Sequence, residues 1–266
     1  MAVQPSLFVS HGSPMFAVES GATGAILKTA GDQLRPKAVV IMSPHWMAQT
    51  PAVMTTQTPS TWHDFGGFPP ALNQLQYPAP GDPALGLQVI DLLAQSGIAA
   101  QADAKRPLDH GAWVPLMHLF PAAHVPVVQV ALPARAGPRE VYAMGQALAS
   151  LRAQGVLIIG SGSMTHNLKE FFNERPSLLD APAPYVTEFA RWVEAAVARR
   201  DLPALLNYRT QAPQAVRAHP TDDHFLPLFF ALGAGGLGQS ADVQVNYLSR
   251  EVMYGTLAMD AFTLME

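Results

Sequence analysis

Short apolar runs of strand length alternate along this chain with longer stretches whose apolar residues recur at helical spacing. That alternation is the signature of an α/β sheet covered on both faces. Leu7 to Ser10, Ala38 to Met42, Ala52 to Thr56, Val127 to Leu132, Val156 to Gly160 and Val243 to Tyr247 read as strands, the last at a possible sheet edge. Between them, Gly24 to Leu34, Pro83 to Ser96 and Pro138 to Gln154 carry the helical pattern, with Pro83 and Pro138 suited to first-turn positions. A further helix from Pro184 to Arg200 puts Tyr185, Phe189, Trp192, Val193 and Val197 on one stripe, which is a core stripe. The segment Gln57 to Gly81, with WHDFGGFPP at its middle, is long, irregular and aromatic, and reads as an ordered lid or pocket wall.

With 266 residues, 49% of them hydrophobic and 14% charged, the chain can bury one large core, so residues 1–266 are expected to form a single domain. Its 24 prolines and 20 glycines are spread through the loops, and no repeat, low-complexity tract or linker divides it. A net charge of -4 argues against nucleic acid or an anionic membrane as partner and favours a small-molecule substrate. No apolar run is long enough for a membrane span and the N-terminus lacks a signal-peptide pattern, so a cytoplasmic location is expected. The absence of cysteine removes disulfides, thiolate metal sites and cysteine nucleophiles together, so any metal must be held by nitrogen and oxygen.

That constraint gives weight to the nine histidines and to their addresses. His11 directly follows the first strand in VSHGSP and His45 the second in IMSPHW, and the crevice beyond the carboxyl ends of strands is where open α/β sheets bind ligands. His166 follows the strand VLIIG in GSGSMTHNL, where Gly160 and Gly162 let the backbone turn as it leaves the sheet. His219 sits in RAHPTDDHFLPL, held extended by Pro220, with Thr221 or Asp222 available to cap the helix that follows, and His110 occupies a turn beside glycine in PLDHGAW. A lone histidine is more often a hydrogen-bonded structural group than a ligand, and His118 and His124 keep that reading. His11 and His45, after consecutive strands in a cysteine-free chain, reverse it. Rival motifs are weaker: GSGSM lacks the third glycine of a dinucleotide fingerprint, and neither SHGSP nor SGSM has the glycine spacing of a hydrolase nucleophile elbow.

Taken in order, SHGSPMF, SPHW, WHDFGGFP, LDHGAW, GSGSMTHNL and HPTDDHFLPL resemble the DODA-type (LigB-like) extradiol ring-cleavage dioxygenases, in particular their 4,5-DOPA dioxygenase branch, from Val9 to about Met259. The resemblance implies a three-layer α/β/α fold with a mixed, mostly parallel central sheet and one divalent metal ion at its edge. It implies His11, His45 and His219 as metal ligands, His166 as an acid/base residue close enough to the metal to be a further ligand, and His110 as a second acid/base histidine. His63, Trp46 and Thr221 become candidates for substrate contact. The protocatechuate branch uses a glutamate as third ligand; the matching block here offers His219 instead. Three neutral imidazoles suit zinc, whereas oxygen-activating iron usually has two histidines and a carboxylate. Iron(II) is therefore expected for turnover, since zinc has no redox cycle, with zinc(II) plausible as a bound ion. The expected partners are a catechol and O2, and the protein a monomer or homodimer.

Two rival readings share these residues. A zinc hydrolase would use the same three histidines with a carboxylate base, for which Asp64, Asp109, Asp222 and Asp223 are available, each also suited to a turn or helix cap. A non-catalytic relative would keep the crevice without the chemistry.

Overall fold

A computed structural model describes residues 3–266. The strands are β1 Ser6–Ser10, β2 Ala38–Ala48, β3 Ala52–Met54, β4 Gln101–Asp103, β5 Val127–Pro133, β6 Val156–Gly162, β7 Gln244–Ser249, β8 Val252–Met253, β9 Leu257–Ala258 and β10 Ala261–Met265. The helices are α1 Gly21–Gln33, α2 Pro83–Gln95, α3 His110–Leu119, α4 Pro138–Leu148, α5 Leu168–Glu174, α6 Pro184–Ala198, α7 Leu202–Leu206, α8 Tyr208–Gln211, α9 Ala215–Ala218 and α10 Pro227–Ala234. Eight strands form one sheet in the order β4-β3-β5-β2-β6-β1-β10-β7. Its centre, β5-β2-β6-β1, is parallel, while β10 and β7 close one end antiparallel.

Alternation along the central strands divides the core. Val40 and Met42 of β2 and Ile158 of β6 point to the side covered by α2, α4, α6 and α10. Val39, Ile41, Leu157 and Ile159 point to the side covered by α1 and α3. Each strand is apolar on both faces because each face is roofed by helices. The sequence expectation of a three-layer α/β/α fold with a mixed, mostly parallel sheet agrees with this architecture. Pro83, Pro138, Pro184 and Pro227 each open a helix at a position that needs no backbone donor. The core stripe of α6 buries Tyr185, Phe189, Val193 and Val197, with Trp192 half-buried beside them.

Three local features bear on the site. β2 runs past Met42 to Ala48, and its pairing with β5 jumps from Ser43 to Met47. Pro44 has no N–H to give a ladder, so Pro44, His45 and Trp46 bulge out, and His45 sits inside the strand rather than after it. β1 and β2 are not neighbours, since β6 runs between them. Gly160 and Gly162 serve close approach rather than a turn: a Cβ on either would meet the Pro227 or His224 carbonyl oxygen, at 1.9 and 2.3 Å. The segment leading into α10 is thereby pressed onto the end of β6.

α3, β4 and β8 to β10 are elements that sequence periodicity passed over. α3 carries Pro115 within it and is apolar on nearly every side, so no amphipathic stripe marks it.

Candidate functional site

The carboxyl ends of β1, β2 and β6 deliver three histidines to one place. His11 is the residue after β1, its backbone N–H donating to the Gly162 carbonyl of β6 at 2.9 Å. His45 comes from the β2 bulge. His166 hangs from the loop after β6, its backbone N–H donating to Ala218 O at 2.8 Å. His110, the first residue of α3, and His224, just before α10, complete the group. Ring nitrogens of His11, His45 and His110 all lie within 4.8 Å of one another. Closer still, His45 Nε2 is 3.2 Å from His11 Nε2 and 3.3 Å from His224 Nε2. His166 stacks face to face on His224, with centroids 3.6 Å apart and ring planes 5° from parallel.

What backs each ring fixes which nitrogen is bare. Asp223 accepts from His224 Nδ1–H at 2.5 Å, and Asp64 Oδ1 accepts from both the backbone N–H of His110 at 2.9 Å and its Nδ1–H at 3.0 Å. Asp64 Oδ2 also approaches His45 Nδ1 to 3.6 Å. Ser161 donates its hydroxyl proton to the Gly111 carbonyl, so its oxygen accepts from His11 Nδ1–H at 3.1 Å. The Gly111 carbonyl is free for this because its normal helical partner would be residue 115, and Pro115 has no N–H. A neutral imidazole has one N–H, so His11 and His224, each held at Nδ1, present an unprotonated Nε2 inward on either side of His45 Nε2. A lone proton on His45 could satisfy only one of them.

Bare nitrogens that close repel unless a cation sits among them. Two ligand nitrogens on one ion with metal–nitrogen bonds of about 2.1 Å stand roughly 3.0–3.4 Å apart. The His11–His45 and His45–His224 spacings match that edge. Histidine ligands backed at the other nitrogen by a carboxylate or other acceptor are the usual second layer of a metal centre. The residues present therefore fit a divalent ion.

Electrostatics agree. Burial, followed by the neighbouring imidazoles, pushes His11 well below the usual histidine range, and burial takes His45 and His166 down to about 4. His224 is also well below it, chiefly through burial. These rings are neutral at neutral pH and could take up a metal without shedding a proton. Burial opposes the ionisation of Asp64 and Asp223, but their hydrogen bonds to His110 and His224 outweigh it and keep both carboxyls below the usual range.

His219, expected as the third ligand, is placed elsewhere. It ends α9 in the extended conformation that Pro220 favours, buried against Phe189 and Phe225, with Nε2–H donating to Met164 O at 2.9 Å. The same HPTDDH segment turns and brings His224 to the cluster five residues later. The signal was in the sequence, since the acidic residue directly before His224 is what orients its ring. The three candidates for substrate contact lie apart from the cluster. His63 packs on Trp113 and Phe65 with Nε2 against Leu75 O at 2.9 Å, Trp46 is buried under the Arg106 guanidinium at 4.7 Å, and Thr221 is exposed. None of the three lines the cavity beside the cluster. His118 has a structural role, as expected, with Nε2–H donating to Phe16 O.

That cavity, about 220 Å³, has His45, His110, His166 and His224 on its floor and Phe65, Phe68, Leu168, Phe171, Phe172 and Leu257 around it. Phe65 and Phe68 come from the long loop 57–81, which does serve as pocket wall. An apolar cavity of about 150 Å³ holds a benzene ring, so this one has room for a substituted ring. No carboxylate lines it among the described residues. Asp64 and Asp223 are committed to histidines, while Asp109 caps α3 and pairs with Arg106 at 2.7 Å. The base that a zinc hydrolase needs is therefore missing from the wall.

Residues 5–258 match the family model described as the catalytic LigB subunit of aromatic ring-opening dioxygenase. The chain is 39% identical over 96% of its length to a 4,5-DOPA dioxygenase extradiol of Beta vulgaris, covering 96% of that protein. It is 36% identical over 86% of its length to the protein of the same name from Escherichia coli K12, covering 84% of it. The crystal structure of an uncharacterized protein from Escherichia coli K12 superposes with a TM-score of 0.77, at 26% identity, over 99% of this chain and 100% of that one.

Proposed function

Because the chain belongs to the LigB family of aromatic ring-opening dioxygenases, we propose that it opens a catechol ring beside its diol, using one divalent ion held by His11, His45 and His224. The observation that carries the reading is the convergence of His11 and His224, each held at Nδ1 with Nε2 turned inward, on His45 Nε2 between them, beside an apolar, ring-sized cavity that His45 and His224 line. The relatives named for 4,5-DOPA cleavage support a 1,2-diol as the reacting group. The reading takes 1–266 as one catalytic domain, supported by a sheet whose strands run from Ser6 to Met265.

Iron(II) in this site would supply the redox chemistry that lets O2 react with the ring, which zinc(II) in the same site cannot. The bond broken is the ring C–C bond next to the diol. Both oxygen atoms of O2 enter the product, which gains an aldehyde and a carboxylate. The ring supplies all the electrons, so no outside reductant is consumed.

The chain's own residues handle position and protons. His166, neutral at pH 7 and stacked on His224, faces the cavity and accepts a proton from a substrate hydroxyl. His110 presents Nε2 to the cavity with Asp64 behind Nδ1, an arrangement that stabilises the imidazolium formed when it takes the second proton, which it returns to the product. The phenylalanine wall excludes water from the reacting ring.

Protein loaded anaerobically with iron(II) and mixed with L-DOPA or a simpler catechol should, on admission of O2, give a yellow ring-opened product. Zinc-loaded protein should give none. Iron that binds without product forming would refute the reading.

A further inference from the structure

The cavity rim carries information on the substrate that the histidines do not. Helix α5 fully buries none of its residues: Phe171 packs on Tyr254 at the margin of the core, while Leu168 and Phe172 are left to solvent. Phe171 lines the cavity, while Leu168 and Phe172 stand 47% and 62% exposed at its edge, continuing the Phe65 and Phe68 wall outward. Exposed apolar surface continuous with a cavity marks where a ligand packs.

Charge points the same way. Apart from the histidines, no ionisable side chain lines the cavity among the described residues. Lys169 and Arg175 of the α5 segment do not line the cavity, and two other cations near it are committed. Arg217 makes a two-pronged contact with Glu170, at 2.8 and 3.2 Å, and lies over Tyr185. Arg106 bonds Asp109 at 2.7 Å and is stacked between Trp46 and Trp62. A ring substituent leaving the diol site thus crosses an apolar rim, where a carboxylate or ammonium would lose water and gain no partner.

We propose that the substrate is a catechol bearing an uncharged, apolar substituent that packs along Leu168, Phe171 and Phe172, rather than one bearing the zwitterionic amino-acid tail of DOPA. This rests on the ring-opening reading and narrows its substrate class.

The test compares catechol, 4-methylcatechol, 4-propylcatechol and L-DOPA, by calorimetric Kd on zinc-loaded protein and by kcat/KM on iron-loaded protein. Each buried methylene should tighten binding about fourfold, and L-DOPA should bind at least tenfold more weakly than 4-propylcatechol. Phe172→Lys, at an exposed position that leaves the core untouched, should erase most of the propyl advantage and improve binding of 3,4-dihydroxyphenylacetate. L-DOPA binding as tightly as 4-propylcatechol, or no gain with chain length, would overturn the proposal while leaving ring opening intact. If no catechol is bound or opened, ring opening itself fails and the proposal falls with it.

Discussion

His219 and His224 lie five residues apart in one segment, and the fold gives them opposite surroundings. His219 is a buried hydrogen-bonded group among aromatics, so His219→Ala should cost about 2–4 kcal/mol of stability from the cavity and the unpaired Met164 carbonyl. Metal affinity should survive that change. His224→Ala should do the reverse, lowering metal affinity by at least on the order of a hundredfold, since even the residues behind the ligands are worth 10–100-fold. Metal titration and denaturant unfolding on both variants separate the two roles; equal metal loss from His219→Ala would restore it as a ligand. At this scale the sequence was partly legible. His11 follows β1 as its apolar run led one to expect, whereas His45, expected after its strand, lies in a bulge within β2, and choosing between two histidines of one loop requires knowing which way the loop turns. The backing groups Asp64 and Ser161 were hidden for a related reason, being 46 and 150 residues from the rings they hold.

Among the elements, α3 shows how a helix defect positions a histidine of the cluster. Pro115 leaves the Gly111 carbonyl to Ser161, and Ser161 then holds His11. Pro115→Ala restores an N–H that competes for that carbonyl. Metal affinity should fall roughly tenfold with no loss of thermal stability, because a helix-interior proline is replaced by the best helix former. Gly111→Ala should be harsher. Its Cβ would lie 2.2 Å from Ser43 Oγ and 2.9 Å from His45 Cδ2, displacing the β2 bulge that presents His45. Calorimetric metal titration of both variants checks the ranking, and undiminished affinity in Gly111→Ala would show that the bulge is not fixed by α3. Sequence periodicity found the long crossover helices because each has one apolar face. It missed α3 because this helix is buried nearly all round, and β10 because an antiparallel strand following a short turn carries no crossover pattern.

For the whole molecule, the site is a store of buried neutral imidazoles, which sets the acid behaviour of the metal-free protein. Burial lowers His11, His45, His166, His219 and His224, with His45 and His166 near 4 and His219 near 3. Unfolded histidines take up protons near pH 6.5, so between there and about pH 4 the unfolded state holds more protons, and stability falls as pH falls, by up to about 1.4 kcal/mol per pH unit for each such group. Asp260 opposes this, since burial raises its folded carboxyl to about 7, but it is one group against five. Urea unfolding at pH 7.5 and pH 5 should show the metal-free protein markedly weaker at pH 5, and equal stability would contradict the neutral-cluster account. Bound metal should widen the difference, because protons compete for the same nitrogens.

The sheet order explains why so much converges on one edge. β2, β6 and β1 are adjacent and parallel, so the residues leaving their carboxyl ends meet, and α3 and α10 enter over the same edge. Everything proposed for the chemistry depends on which nitrogens take the ion. A crystal structure of the protein soaked anaerobically with iron(II), read by anomalous scattering, tests this directly. The ion should lie about 2.0–2.2 Å from Nε2 of His11, His45 and His224, with His110 and His166 facing the open side. An ion bound by His219, or one bound by His11, His45 and His110 with His224 turned away, would contradict the account.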